Sequence, residues 1–239
     1  VDSSQTNQNG LASSASCPLC RLRAAQPFLY HRDRLKKGYR AVAEAGSRLY
    51  FQCAGCSLVY VPRQFHLSPA QEKAYYDLHE NSLEDPGYET FLGRCADPLI
   101  SALPAAAEGL DFGCGPAPLL ARLLENAGHR VATYDLYYQP DATVLARSYD
   151  FIVSTEVVEH LSAPGDVIEM LWQRVRRGGV LALMTKLVVS RERFASWHYI
   201  RDPTHIAFFS RDTFSWLAAH LGAELEFVAS DVVFLRRPV

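Results

Sequence analysis

The chain has 239 residues, 49% of them hydrophobic and 21% charged, with a formal net charge of −2. That length suits one globular domain with a good core plus an appendage, and near-neutral charge excludes a strong non-specific grip on nucleic acid without excluding a local basic patch. No apolar run approaches the ~20 residues of a membrane span, so a membrane is not among the expected partners. Residues 1–16 are polar and rich in Ser, Asn and Gln. They lack the charged start and apolar centre of a signal peptide and read as a disordered tail. Six cysteines, four of them in two C-x-x-C pairs, point to metal in a reducing compartment, hence a cytoplasmic protein, rather than to disulfides.

Residues 17–67 form the expected appendage. Cys17-Pro-Leu-Cys20 and Cys53-Ala-Gly-Cys56 are two knuckles separated by a strand-rich stretch. Four thiolates satisfy a tetrahedral Zn²⁺ and leave no open position, the structural kind of site. Redox catalysis is disfavoured, because neither pair opens a helix after a strand. Between the knuckles a long hairpin carries Arg32, Arg34, Lys36, Lys37 and Arg40. This basic stretch is either a solvated face or a contact for RNA or an acidic partner.

Residues 68–108 connect the appendage to the main domain. Ser68-Pro-Ala-Gln71 starts a helix with Ser as N-cap, Pro at the first position and Gln reaching back, running to about Glu80. Tyr75, Tyr76 and His79 fall on its neighbouring faces. Asp85-Pro-Gly87 turns the chain into a second helix over Tyr88–Leu103.

Leu110-Asp-Phe-Gly-Cys-Gly-Pro-Ala-Pro118 then reads as a strand end, a tight turn and a helix start, with the helix over Pro116–Ala127. Gly113 and Gly115 permit φ/ψ values and a ligand approach that a Cβ forbids. Taken singly, the turn also fits dinucleotide enzymes. Two details lean away from them: Asp111 is awkward beside a pyrophosphate, and Pro118 stands where that fingerprint wants Gly or Ala. The stretch resembles motif I of the class I S-adenosylmethionine (SAM) methyltransferases, an acid followed by G-x-G-x-G, with Ala117 replacing the third glycine. The resemblance implies an α/β fold with a Rossmann-like seven-stranded sheet over residues 109–239. It also implies cofactor contacts at Asp111, Gly113, Cys114 and Gly115. Helices ahead of the first strand lie over the SAM pocket in this superfamily, which makes Tyr76 and His79 candidate lid residues; aromatic packing between appendage and core is the alternative.

Arg130–Asp135 is a short strand ending in an acid about twenty residues past the turn, where a carboxylate accepts both ribose hydroxyls of a nucleoside. By resemblance Asp135 is the ribose ligand of SAM. Only Leu136–Tyr149 separates this strand from the next, and Ala142–Leu145 is the candidate for a reduced third strand. Asp150–Glu156 reads as a buried parallel strand, placing Thr155 and Glu156 at its carboxyl end in the cofactor set. If a helical turn begins at Glu156, Glu159 and His160 share its face, a set suited to a divalent cation. E-x-x-E-H resembles the metal motif of small-RNA 2′-O-methyltransferases and of ubiquinone-pathway O-methyltransferases. That resemblance implies Mg²⁺ or Mn²⁺ held by Glu156, Glu159 and His160 with His205 completing the set; a Glu-His pair that only packs at the sheet edge is the alternative.

Leu161–Arg177 is the next helix, closed by Gly178-Gly179 as C-cap glycines, and Val180–Thr185 the fifth strand. The long aromatic segment from Arg191 to Phe209 has the length of a functional loop. Its W-H-Y-x-x-D-P-T-H-x-x-F-F-S run resembles the substrate-side loop of the ubiquinone-type group. Candidate bases are His198, His205 and His160, with Glu156 near the methyl group; Trp197, Tyr199 and Asp202 are candidate substrate contacts. Ser210 caps a helix over Arg211–Leu221, and Ala223–Ala229 with Val232–Arg236 forms a closing hairpin whose antiparallel strand inserts between neighbours. The expected protein is a zinc-ribbon-bearing SAM methyltransferase acting on a hydroxyl or amine of a small molecule. An RNA or protein methyltransferase that docks its substrate on the ribbon, and a non-catalytic SAM-binding module, remain the alternatives.

Overall fold

The structure, a computed structural model, describes residues 16–32, 47–78 and 84–239. In chain order the strands are β1 (Ala25–Arg32), β2 (Ser47–Cys53), β3 (Val59–Tyr60), β4 (Glu108–Phe112), β5 (Arg130–Tyr134), β6 (Tyr149–Thr155), β7 (Val175–Met184), β8 (Ala207–Phe208), β9 (Glu224–Phe227) and β10 (Val232–Arg236). The basic residues Arg34, Lys36, Lys37 and Arg40, and His79, lie outside the described residues. Among those described, no helix is long and apolar enough to cross a membrane.

The chain divides into two units. One takes in the described part of Val1–His79 with Glu159–Asp166 and Lys186–Leu217; the other takes in Glu80–Val158, Val167–Thr185 and Ala218–Val239. The unit that holds the four cysteines thus also takes in two later segments of the chain.

The second unit is an α/β sheet in the order β5-β4-β6-β7-β10-β9. Its first four strands are parallel, and β10 pairs antiparallel with both β7 and β9. β6 and β7 are buried on both faces, with Phe151, Ile152, Val153 and the run Leu181–Met184 fully sealed, as strands covered by helices on each side must be. Helices Pro86–Ala102 and Leu119–Asn126 place Leu92, Leu99, Leu119 and Leu124 in the same core as Phe151 and Val153.

This sheet has six strands among the described residues, not seven. The expected third strand is a 3-10 helix, Ala142–Ala146, because Asp141 captures the Thr143 N–H (3.0 Å) and Tyr149 donates its hydroxyl to Val144 O (2.7 Å). So short a connection satisfies its backbone locally. The helix after the glycine turn begins at Leu119 rather than Pro116, behind the non-helical Pro118 (ψ 61°). Gly178-Gly179 does not cap a helix. Helix Pro164–Arg174 ends earlier, and the glycines sit inside β7, where Gly178 (φ +74°) bulges the strand and donates to Arg237 O (2.9 Å).

The first unit is organised on an antiparallel sheet, β1-β2-β3-β8. β1 and β2 form the hairpin between the knuckles. The fourth strand was not expected: β8, from the aromatic segment, pairs Phe208 with Val59 and Ala207 with Tyr60. That segment is also less loop-like than its composition implied. Ser190 caps helix Arg191–Ser196, and a 3-10 turn, His198–Arg201, follows. Phe28, Tyr50, Phe194, Tyr199, Ile200 and Phe208 share one core.

The first knuckle meets Gly165, whose N–H donates to Pro18 O (3.2 Å). A Cβ on Gly165 would lie 2.2 Å from Leu19 O, against rigid backbone. Gly165→Ala is expected to cost roughly 1–3 kcal/mol by overpacking, read as a lowered urea midpoint with the slope unchanged. An unaltered midpoint would show that the knuckle does not rest on this contact.

Candidate functional site

The glycine turn of the second unit is built by β4 and β5. Gly113 (φ +81°) lies where a Cβ would meet Val157 at 2.3 Å, whereas a Cβ on Gly115 (φ +66°) would meet nothing within 4 Å. The turn is therefore packed on one side and open on the other. Its donors are committed to its own unit. Gly113 N–H and Cys114 N–H both go to Tyr134 O (2.7 and 3.2 Å), and Gly115 N–H goes to Asp135 Oδ2 (3.0 Å). Asp135, half-buried just past β5, uses Oδ1 for Tyr137 N–H and Tyr138 N–H (2.8 and 3.0 Å).

Asp111 is 2% exposed. Burial first, and then the nearby Asp135 charge, pushes its carboxyl up to about 7, against a backbone hydrogen bond from Ala121 that lowers it. Sealed in this way, Asp111 accepts from the Ala121 backbone at the helix start. Tyr88, which the sequence did not single out, reports the same field. Its phenol is pushed up to about 12 by burial first and then by Asp111, Cys114 and Glu156. The floor beside the turn is electronegative.

Thr155 ends β6 half-buried, paired with Met184. Glu156 then turns left-handed (φ +52°) while its N–H donates to Met184 O (2.8 Å). A helical turn therefore starts later than expected, as the 3-10 segment Val158–His160. In consequence Glu156 is not in the candidate metal group: among the described residues that group is Glu159, His160 and His205, with ligand atoms within 4.8 Å of one another.

These three residues belong to the first unit. His205 Nδ1 bonds to Tyr199 O (2.7 Å) and His160 Nδ1 to Thr204 O (3.3 Å). A carbonyl only accepts, so both Nδ1 atoms carry the proton, and whenever the ring is neutral its lone pair stands at Nε2, the arrangement that orients metal-binding imidazoles. Tyr199 donates its hydroxyl to Glu159 Oε1. Burial first, and then His205, holds His160 down at about 3, so it is neutral at pH 7. Asp202 stands 3.9 Å from His205 Nε2. Its own burial would raise its carboxyl, but His205, Thr204 and His160 hold it below the usual range. Tyr76 meets His160 edge-on at 5.3 Å and donates to Glu72 Oε1 (2.9 Å).

Tyr199 is 4% exposed and packs in the core of this unit. Trp197 is half-buried against it, with ring centroids 4.9 Å apart. His198 is exposed, outside the three-residue group, and its Nε2 accepts from Lys186 Nζ (3.0 Å), which also lies over the Tyr199 ring. Lys186 was missed, although a residue just past a parallel strand's carboxyl end is where α/β sheets place function. Arg48, on β2, was also missed.

The four cysteines converge as expected. Cys17 Sγ and Cys56 Sγ are 3.5 Å apart and Cys20 Sγ and Cys53 Sγ 3.4 Å, and all four sulfurs lie within 4.8 Å. A tetrahedral Zn²⁺ with ~2.3 Å bonds sets sulfurs about 3.8 Å apart, so the donors fit. Cys17 is drawn down to about 6, first by the Cys56 hydrogen bond, and such shared protons are what a metal displaces.

The methyltransferase domain family matches residues 88–227, more than half of the chain. A malonyl-[acyl-carrier protein] O-methyltransferase from Enterobacter lignolyticus is 29% identical over 164 residues, 59% of this chain and 65% of the relative, so the match spans under two thirds of that protein. Among solved structures, an O-methyltransferase family protein from Burkholderia thailandensis aligns with a TM-score of 0.49 at 13% identity, over 73% of this chain and 62% of that one. Magnesium protoporphyrin IX methyltransferase from Synechocystis, solved with SAH, aligns with a TM-score of 0.44 at 14% identity, over 69% and 92%.

Asp111 supplies a pH test. Its folded pKa, about 7, lies above the ordinary 3.8. The unfolded chain therefore ionises first, and ligand-free stability falls as pH rises from about 4 to 7, by roughly 4 kcal/mol in all. Asp111→Asn keeps an acceptor for Ala121 N–H and removes that loss. Its unfolding midpoint relative to the unsubstituted protein should climb across this window and level off above it; a gap independent of pH would refute the assignment.

Proposed function

The chain belongs to the methyltransferase domain family, and from that premise we propose that it transfers a methyl group from SAM to a hydroxyl or amine of a small molecule. The observation that carries this reading is the glycine turn. Its N–H groups are spent on Tyr134 O and Asp135, and Asp111 and Asp135 lie close enough to repel each other's charge. Such a floor repels a pyrophosphate and attracts a sulfonium or ammonium cation. Open space at Gly115 and the half-buried Asp135 are where a nucleoside's ribose would be held. Asp135 Oδ2, which accepts only the Gly115 N–H, keeps one lone pair for a ribose hydroxyl, while Oδ1 is filled by Tyr137 and Tyr138.

When bound, SAM supplies an electrophilic methyl group. The protein's part is alignment of acceptor and cofactor, which contributes up to ~7–11 kcal/mol. For a hydroxyl acceptor, the group of Glu159, His160 and His205 supplies the proton acceptor, a further ~10²–10⁴ in rate. His160, held down at about 3, is neutral at pH 7 but too weak a base for a hydroxyl proton, so it is assigned to orienting or metal-binding and the proton goes to His205 or Glu159. Half-buried Lys186 and exposed His198, hydrogen-bonded to each other in the same unit, are assigned to acceptor orientation. The Enterobacter lignolyticus relative is an O-methyltransferase, which favours oxygen over nitrogen here. The four cysteines are assigned a structural Zn²⁺.

A second, metal-assisted form of the same reaction is favoured by the two carbonyl-backed imidazoles. Glu159, His160 and His205 offer one carboxylate and two imine nitrogens, a donor set for Mg²⁺ or Mn²⁺ with positions left for a substrate oxygen.

Calorimetry with SAM should show saturable binding, weakened ~10–100-fold by Asp135→Ala as bonds to a charged acceptor are lost. Saturable binding of NAD in place of SAM would overturn the reading. For the metal-assisted form, Mn²⁺ titration followed by electron paramagnetic resonance should reveal a site that His160→Ala removes while cysteine-bound zinc stays. A Mn²⁺ signal indifferent to that substitution leaves the group as a proton acceptor only.

A further inference from the structure

Arg48 breaks the apolar run of β2, Ser47-Arg-Leu-Tyr-Phe-Gln-Cys53. It is 5% exposed, a burial a guanidinium tolerates only when its donors are used. Its Nη1 reaches two main-chain carbonyls, Asp202 O and His205 O, each at 3.5 Å. These carbonyls lie at the two ends of one turn. The turn is closed from inside by His205 N–H to Asp202 O (3.3 Å) and by Thr204 N–H to Asp202 Oδ1 (2.8 Å). His205 leaves the turn with Nδ1 bonded to Tyr199 O, and the next residue, Ile206, joins Val61 and Glu159 through its backbone (2.8 Å each).

We infer that Arg48 is the positioning residue for His205: from the cysteine module it clamps the 202–205 turn and so sets the direction of the His205 imidazole. The reason is physical. Two carbonyl dipoles brought together repel, and a permanent cation between their oxygens holds them in one geometry that neutral packing would not enforce. β2 ends in Cys53, so a metal held by the four cysteines would fix the strand from which Arg48 reaches. The module is then part of the acceptor-side apparatus, not a separate docking arm. This rests on the reading that Glu159, His160 and His205 act as one group.

The test uses the full, zinc-loaded chain and ¹⁵N-detected spectra of the histidine rings. In the unsubstituted protein His205 should be a single neutral tautomer, protonated at Nδ1. Arg48→Met should convert it to a mixture of tautomers at unchanged zinc content, and Arg48→Lys should restore the single form. Tyr50→Phe removes a different contact with the same segment, Tyr50 hydroxyl to Ile200 O (3.5 Å), and should leave His205 unaltered. A single Nδ1–H tautomer persisting in Arg48→Met overturns the proposal, as does an equal disturbance from Tyr50→Phe, which would assign the effect to general packing. An Nε2–H tautomer already in the unsubstituted protein would instead overturn the reading of the three-residue group. Should Arg48→Met not fold, amide hydrogen exchange decides. Removing zinc with a chelator should cut protection at His205 N–H by ~10-fold or more while Val233 stays protected; unchanged protection at His205 refutes the clamp.

Discussion

The backbone of Ile206 is bonded in both directions. Its carbonyl accepts the Val61 N–H, and its own N–H goes to Glu159 O, each at 2.8 Å. A buried peptide group must be paired, and this one is paired to two segments far apart in sequence. The first ties it to the strand edge leaving the cysteine module, the second to the turn that carries Glu159 and His160. With Ile206 fixed, His205 on one side and β8 on the other have no latitude. The three-residue group of the first unit, its fourth strand and the path of the aromatic segment all follow from this one peptide.

In the second unit the comparable constraint is how the glycine turn satisfies itself. Parallel strands end in loops whose backbone groups must find partners without a neighbouring strand. Here Tyr134 O and Asp135 supply them, leaving carboxylates rather than N–H groups to define the local field. The same turn shape that cradles phosphate elsewhere here spends its N–H donors within the chain. Burial of Asp111 sharpens the contrast, because in low dielectric its ionisation is costly without a cation.

Much of this was legible in the sequence. The parallel strands announced themselves as unbroken apolar runs, the glycine turn by its acid and its Gly-x-Gly, and the four-cysteine cluster by two C-x-x-C pairs whose sulfurs converge. What could not be read was set by pairing between distant segments. β8 is two residues long, too short for periodicity to signal, and exists only because Val59–Tyr60 offers an edge. Arg48 looks like one surface residue in a strand until the carbonyls of Asp202 and His205 arrive over it. The left-handed Glu156 broke the helical spacing that would have joined it to Glu159. The lost third strand had a local cause, Asp141 and Tyr149 satisfying a connection too short to span.

The pairing of Val59 with Phe208 also bears on how the chain comes to be made. A module whose first cysteine is residue 17 obtains its last strand only after residue 208 has been synthesised. Contacts so distant along the chain carry a large loop-closure cost and form late. Until then β3 is an open edge, the kind of surface that invites pairing with other chains. Metal captured early by the four thiolates would hold the knuckles closed through that interval. A metal at the four cysteines would in this light serve the nascent chain as well as the finished one, and heterologous production short of zinc should fail by aggregation rather than yield an inactive but soluble protein.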